Sequence, residues 1–406
     1  MSDTNTSPAQ SDETGQPVEI SGAEIQLHDV VKKYPGQKAA AVDSLSLTLP
    51  AGEIVMFVGP SGCGKTTSLK MINRLIEPTS GKITIGGDDV RTQSADELRR
   101  HVGYVIQGGS LFPHMSVAKN IAITPRLLGW DKSRITNRVD ELLDLVGLDP
   151  ARYRDRYPRE LSGGQQQRVG VARGLAADPP AILMDEPFGA VDPITRQRLQ
   201  DELLSIQREL RKTIVMVTHD IDEAIKMGDR LAILQEGAHI AQYDTPAAIL
   251  AAPANDFVDD FVGSGAGLKQ LSLSRVSDVE LLAQTTCAIG ESSSEVAERV
   301  KAAGHTSVVV LDERRRPVAW RFLRQIARNQ TIQDGDRESL VTLDSRSTLN
   351  DALDTMLTSS HRGAVVCGDR DQYLGVIDFD SVTGFMRATE QEHQAEDAQV
   401  EPEAAT

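Results

Sequence analysis

Long apolar runs are what this sequence most plainly lacks. No stretch approaches the roughly 18 consecutive apolar residues that a membrane-spanning helix requires. Runs such as IVMFV (54–58) and AILM (181–184) are strand-sized. Cysteine is scarce as well. Cys63, Cys287 and Cys367 are scattered and form no CxxC pair. Neither a disulfide framework nor a zinc site is therefore expected, and a reducing cytoplasm is the compartment this usage fits. The opening residues, MSDTNTSPAQSDETGQPVE, have no basic n-region and no apolar h-region, so they are not expected to act as a secretory leader. Basic residues are missing from both ends. Residues 1–22 hold four acids and residues 388–406 hold six, with no Lys or Arg in either. These tails carry −10 of the formal net charge of −16. Their polar composition predicts disorder.

What is present is an ordinary globular mix in 406 residues, 40 % hydrophobic and 25 % charged, enough for two or three domains. From residue 23 to 262 the pattern is mixed α/β. Leu45, Leu47 and Leu49 alternate as in a half-buried strand, while EIVMFV (53–58), AILM (181–184) and TIVMVT (213–218) suit strands buried on both faces. Helical stretches such as 139–148 and 196–210 separate them, which predicts a largely parallel sheet covered by helices. GSGAG (263–267) reads as a linker. Beyond it, residues 302–320 lie over residues 358–376 at a constant offset of 56, pairing His305 with His361 and Val309–Val310 with Val365–Val366. The boundaries drawn from this are a first repeat over 268–330 and a second over 331–387. Each repeat is read as an amphipathic helix, a Val-rich strand, a polar turn and a second strand, with Leu349, Leu353 and Met356 on one helix face.

Three stretches carry chemistry. GPSGCGKT (59–66) fits the phosphate-loop pattern G-x-x-x-x-G-K-[ST] and stands between a strand and a helix, the context that pattern needs. Backbone N–H groups from Ser61 through Gly62, Cys63, Gly64, Lys65 and Thr66 to Thr67 can ring phosphates at a helix N-terminus. Lys65 is expected to reach the β- and γ-phosphates, and the Thr66 hydroxyl to hold Mg²⁺. Cys63 reads as a small loop residue and not a nucleophile. AILMDEP (181–187) ends a buried strand in two carboxylates: Asp185 suits the Mg²⁺ shell, and Glu186 suits polarising the water that attacks the γ-phosphate. ELSGGQQQRVGVARGLA (160–176) offers a second helix N-terminus able to meet phosphate.

In order and spacing these elements resemble the nucleotide-binding subunits of ABC transporters over residues 23–262. The resemblance implies ATP and Mg²⁺ as the bound groups and a P-loop NTPase fold of ABC type. Tyr34 matches the aromatic that stacks on adenine, and Gly59, Pro60 and the following residues to Thr66 the Walker A loop. Gln107 matches the Q-loop glutamine, a catalytic and Mg²⁺-sensing position, and LSGGQ (161–165) matches the signature, with Ser162, Gly163, Gly164 and Gln165 at the nucleotide. Asp185 and Glu186 match the Walker B acid and the catalytic base, GAVD (189–192) the D-loop, and His219 the switch histidine. The resemblance further implies a head-to-tail homodimer in which the signature acts across the interface. It also implies separate integral-membrane permease subunits docking near 108–121, a substrate-binding protein or domain, and a place on the cytoplasmic face of the membrane.

A narrower resemblance, carried by LFPHMSV, DEPFGAVDPITR and VTHDIDEAIKMGDR, is to the ATPases of quaternary-amine (glycine betaine, carnitine, choline) importers. The repeats resemble the tandem CBS domains of that branch. Importers of another small solute, a soluble ABC ATPase, or a CBS sensor with a dead ATPase stand as alternatives; Lys65, Glu186 and His219 oppose the last. The repeats depart from nucleotide-binding CBS copies: the ribose acid is missing in both, with Ala319, Phe322 and Gln325 in one and Gly375, Asp378 and Ser381 in the other. A cyclic dinucleotide stays open. ERRRPVAWRFLRQIAR (313–328) places Arg314, Arg315 and Arg316 in an exposed turn and Arg321, Arg324 and Arg328 on one helix face, with Trp320 and Phe322 toward the core. That cluster reads either as a solvated surface or as an ionic-strength gate against anionic lipid. Nucleic acid is not an expected partner.

Overall fold

The structure, a computed structural model, describes residues 21–106, 110–189, 191–263, 266–326, 330–333 and 340–388. Gln107, Arg328 and most of both acidic tails lie outside the described residues. The chain divides into two compact units. One runs up to Ile249 and adds Pro253–Val262; the other holds Leu250–Ala252 and everything from Gly263 on. Among the described residues no helix is long and apolar enough to cross a membrane.

The first unit holds two sheets. β1 (Ile25–Lys32), β2 (Val42–Leu49), β4 (Ser80–Ile85) and β5 (Asp88–Asp89) form an antiparallel sheet in the order β2-β1-β4-β5. The alternating Leu45, Leu47 and Leu49 lie here, buried on one face. The second sheet orders six strands as β10-β9-β3-β8-β7-β6. They are β3 (Ile54–Val58), β6 (Val102–Ile106), β7 (Ala181–Asp185), β8 (Thr213–Val217), β9 (Arg230–Gln235) and β10 (His239–Asp244). All its pairs are parallel except β9 with β10. β3 and β8 are buried at every position, as expected for central strands covered on both faces. The sheet order sets β3, β8 and β7 side by side, so the loops leaving their C-terminal ends meet at one edge, where open α/β sheets bind ligands.

In the second unit two three-stranded sheets follow one plan. β11 (Thr286–Ala288), β12 (Ser307–Leu311) and β13 (Pro317–Phe322) form one, and β14 (Thr342–Asp344), β15 (Gly363–Cys367) and β16 (Tyr373–Asp378) the other. The offset of 56 carries over pair by pair. Ser307 opposite Phe322 becomes Gly363 opposite Asp378, Val309 opposite Trp320 becomes Val365 opposite Val376, and the register shift recurs at Leu311 and Cys367. Helix Ser293–Ala302 maps in the same way onto Leu349–Thr358, where Leu349, Ala352 and Met356 are buried. Arg315 and Asp371, also 56 apart, both take left-handed φ near 60° in the turns.

Packing crosses the boundary drawn between the repeats. Leu271, Val276 and Val279 lie in the core of the second copy, and Leu282 bridges to Val376. Ile332, in turn, belongs to the core of the first. The segment entering the pair thus packs on the far copy and pairs at Leu282 with that copy's edge strand β16.

The arginine-rich stretch departs from its expected form. Arg314 and Arg315 are exposed, but Arg316 is half-buried and ion-paired to Asp312 at 2.9 Å. Arg321 sits in β13 and not on a helix, and the described helix that follows begins at Leu323 and covers Leu323–Ile326. Trp320 and Phe322, two apart on one strand face, do not enter the first copy's interior. The His361 ring lies between them, 4.4 Å from Trp320 and 4.1 Å from Phe322, with Arg324 over Phe322 at 4.9 Å. Trp320 donates to Ser307 Oγ at 3.0 Å, and a Cβ at Gly363 would stand 3.0 Å from its ring, so the glycine makes the room. A cavity of about 470 Å³ opens beside this stack, lined in part by Gln325, Thr358 and Ser360.

His361 locks the two copies by stacking, and each such pair is worth about 0.5–1.5 kcal/mol. Burial holds its imidazole below the ordinary value of 6.5. The unfolded chain therefore binds the proton more readily, and the contribution of His361 is lost as pH falls below about 6.5. His361→Phe is expected to keep the stack and remove this dependence; melting of the full chain between pH 7.5 and 5 measures it.

Candidate nucleotide site

The phosphate loop leaves β3 at Gly59 and enters helix Lys65–Ile72. Three of its glycines have positive φ: Gly59 at 150°, Gly62 at 84° and Gly64 at 112°. At Gly59 and Gly64 a side chain is also sterically excluded. A Cβ would meet the Leu234 carbonyl oxygen at 2.2 Å and the Ala41 carbonyl oxygen at 2.6 Å, respectively. Pro60, Ser61 and Gly62 are exposed, Cys63 is buried in the core, and Thr66 and Thr67 are half-buried. Lys65 curls back within the loop, its Nζ donating to the carbonyls of Gly59 at 2.7 Å and Pro60 at 2.9 Å.

Sheet order brings the distant carboxylates to this loop. Asp185 ends β7 and accepts a 2.9 Å bond from the Thr66 hydroxyl across 119 positions of sequence. A hydroxyl and a carboxylate in contact at a helix N-terminus form an oxygen donor set that fits Mg²⁺. Next to it, Glu186 takes φ 44° and donates its backbone N–H to the Val217 carbonyl at 3.0 Å. This holds its side chain against the end of β8, where His219 Nδ1 lies 3.2 Å from Glu186 Oε1.

Ser162–Gln165 stands on other partners. Ser162 caps helix Gly163–Leu175 in a reciprocal box with Gln165, whose side chain also reaches the Tyr153 hydroxyl at 3.2 Å. Gly164 is buried, and a Cβ there would press within 2.6 Å of Thr195. Ser162 and Gly163 are exposed. Tyr34 follows β1, half-buried, with Lys32 Nζ 5.2 Å from its ring centroid.

Beneath His219 lies a polar layer that motif reading passed over. Asp220 caps helix Ile221–Met227, and buried Glu223 accepts from Gln200 at 3.1 Å. Burial pushes the Glu223 carboxyl up, with bonds from Thr218 and Gln200 opposing. The available signal was the i, i+4 spacing of Arg196 and Gln200 on a helix whose composition reads as solvated.

A family model described as ABC transporter matches residues 42–189. Fold, site and match define the class: an ABC-transporter ATPase. The chain is 43 % identical to a glycine betaine/carnitine/choline transport ATP-binding protein, OpuCA, of Bacillus subtilis, over 87 % of this chain and 93 % of that one. It is 41 % identical to a carnitine transport ATP-binding protein of Listeria monocytogenes, over 93 % of this chain and 98 % of that one. It belongs to the family of ATP-binding subunits of osmoprotectant ABC importers. Among solved structures, cbiO1 from Clostridium perfringens, described as part of the ABC transporter complex cbiONQ, matches at 25 % identity. That match covers 57 % of this chain and 91 % of the other, with a TM-score of 0.52.

Proposed function

We propose that this chain hydrolyses ATP to drive uptake of a quaternary-amine osmoprotectant of the glycine betaine, carnitine and choline class, through separate permease subunits at the cytoplasmic face of the membrane. The observation that carries this reading is the similarity to the Bacillus OpuCA protein over 93 % of its length, which includes the region beyond the ATPase unit. In the proposed cycle the loop Gly59–Thr66 wraps the phosphates. Lys65 exchanges its loop carbonyls for phosphate oxygens, and Thr66 with Asp185 would hold Mg²⁺, which would supply neutralisation of phosphate charge. Glu186 takes the proton of the attacking water, and His219 holds Glu186 in place. The exposed Ser162–Gly163 cap serves the nucleotide of a second, head-to-tail subunit. By the family resemblance Gln107 senses Mg²⁺ and the attacking water, and Tyr34 stacks on adenine.

A groove of about 270 Å³ beside residues 110–121, lined by Tyr104, Ile106, Phe112, Ile123 and Arg173, suits docking of a permease segment. The paired copies are the proposed CBS domains. They gate turnover in response to ionic strength through anionic lipid, or through a cyclic dinucleotide. With Arg316 held by Asp312, Arg314 and Arg315 carry the lipid-facing role. ATPase and uptake assays of the reconstituted permease complex with betaine, carnitine, choline and proline, at varied internal salt, test both parts. Stimulation by proline alone would sink the solute class. A threshold that does not move in the Arg314→Ala, Arg315→Ala double variant would sink the lipid gate.

A further inference from the structure

Val191 and Asp192 lead into helix Pro193–Leu210, which Asp192 caps by accepting the Thr195 N–H at 3.0 Å. Asp192, Arg196 and Gln200 recur every four residues and so share one helix face. That face meets the N-terminus of helix Ile221–Met227. The Arg196 guanidinium forks there. One amino group lies 3.5 Å from Asp220 Oδ2, and the other lies 3.5 Å from the Val191 carbonyl. A turn further on, Gln200 is fixed to buried Glu223.

Asp220 is committed on its other oxygen. Oδ1 accepts the N–H groups of Asp222 and Glu223 at 3.0 and 3.2 Å, leaving Oδ2 for Arg196. Asp220 is also the residue after His219, which touches Glu186. A short path therefore runs from the Val191 carbonyl through one guanidinium to Asp220, and from there along the backbone to His219 and the base.

Stability alone gives this fork little purpose. Both side chains are about a third exposed, at 33 % and 36 %, and pairs of that kind contribute little. The two 3.5 Å reaches are long, and the buried Arg196 Nε has no hydrogen-bond partner among the described residues. A planar fork divided between two loops, in place of one short bidentate pair, suits a link that tightens when either loop moves.

We propose that Arg196 is a positioning residue that couples the segment at Val191–Asp192 to the His219–Glu186 pair, so that hydrolysis is licensed when a second subunit presses on that segment. The proposal rests on the head-to-tail dimer reading.

The test uses the full-length chain. Arg196→Gln is expected to lower kcat for ATP about tenfold, with KM within about twofold and an unchanged melting temperature. Asp220→Asn retains a good helix cap but loses the charge, and should fall by a similar factor. The double variant should be no worse than either single, because both remove one link. Arg196→Lys, a single point charge that cannot fork, should be intermediate. In a Glu186→Gln background, Arg196→Gln should still dimerise on ATP in light scattering. Multiplicative losses, a raised KM at unchanged kcat, or loss that follows melting would overturn the coupling. A Glu186→Gln chain that stays monomeric with ATP would overturn the dimer reading, and this inference with it.

Discussion

Glu186→Gln is expected to lower ATP turnover by about 10²–10⁴-fold while leaving nucleotide binding in place. The substitution preserves shape. Gln can occupy the same left-handed backbone position, and its amide oxygen can accept from His219 as Glu186 Oε1 does at 3.2 Å. It cannot take a proton from water. The Thr66–Asp185 contact at 2.9 Å is untouched, so the Mg²⁺ donor set survives. Binding without turnover should then accumulate an ATP-bound dimer. Steady-state hydrolysis and size-exclusion light scattering with and without Mg²⁺ATP measure the two halves. Hydrolysis at the parental rate would remove Glu186 from the role of base.

The second large effect is expected at Gly64. With φ at 112° it lies where residues bearing a Cβ are strained by about 1–3 kcal/mol. A Cβ there would also stand 2.6 Å from the Ala41 carbonyl oxygen and 3.1 Å from Ala238 Cβ, and one of those contacts is backbone. Gly64→Ala must therefore shift the start of helix Lys65–Ile72, carrying Lys65 and Thr66 with it. Loss of ATP affinity by at least about tenfold, with a drop in unfolding free energy of about 1–3 kcal/mol, is the expected outcome. Gly62→Ala is the internal control. Its φ is 84°, but nothing lies within 4 Å of the new methyl group, so only the backbone term applies. Calorimetric titration with ATP and urea denaturation separate the two variants. Equal behaviour would show that the close approach at Gly64 does not matter.

Much of the ATPase unit was legible because its chemistry is local. Gly59–Thr66 is one loop between one strand and one helix. Asp185 and Glu186 are adjacent, and the Ser162–Gln165 box closes within four residues. The short apolar runs at 54–58, 181–184 and 213–217 are strands for the reason their burial shows: both faces are covered. The antiparallel sheet of β1, β2, β4 and β5 was not legible, since alternation says which face is buried but not which strand lies next door. The arginine-rich stretch misled in another way. Spacing put Arg321 with Arg324 on a helix, yet pairing with Val308 draws Arg321 into β13. Trp320 and Phe322 then turn to His361, a residue some 40 positions away that no local pattern connects to them.

By itself the sequence determined what each segment can do: which loop can bind phosphate, which acids can serve metal and water, and that a segment recurs at an offset of 56 residues. Those properties depend on side-chain chemistry and on spacings of a few bonds. Only the tertiary structure decided which distant groups meet. The order β3-β8-β7 sets Thr66 against Asp185 and Glu186 beside His219. A helix face carries Arg196 between Val191 and Asp220, and the fold of the repeats threads His361 between two rings. These contacts depend on strand order and on the burial of whole faces, quantities that exist only once the chain is folded.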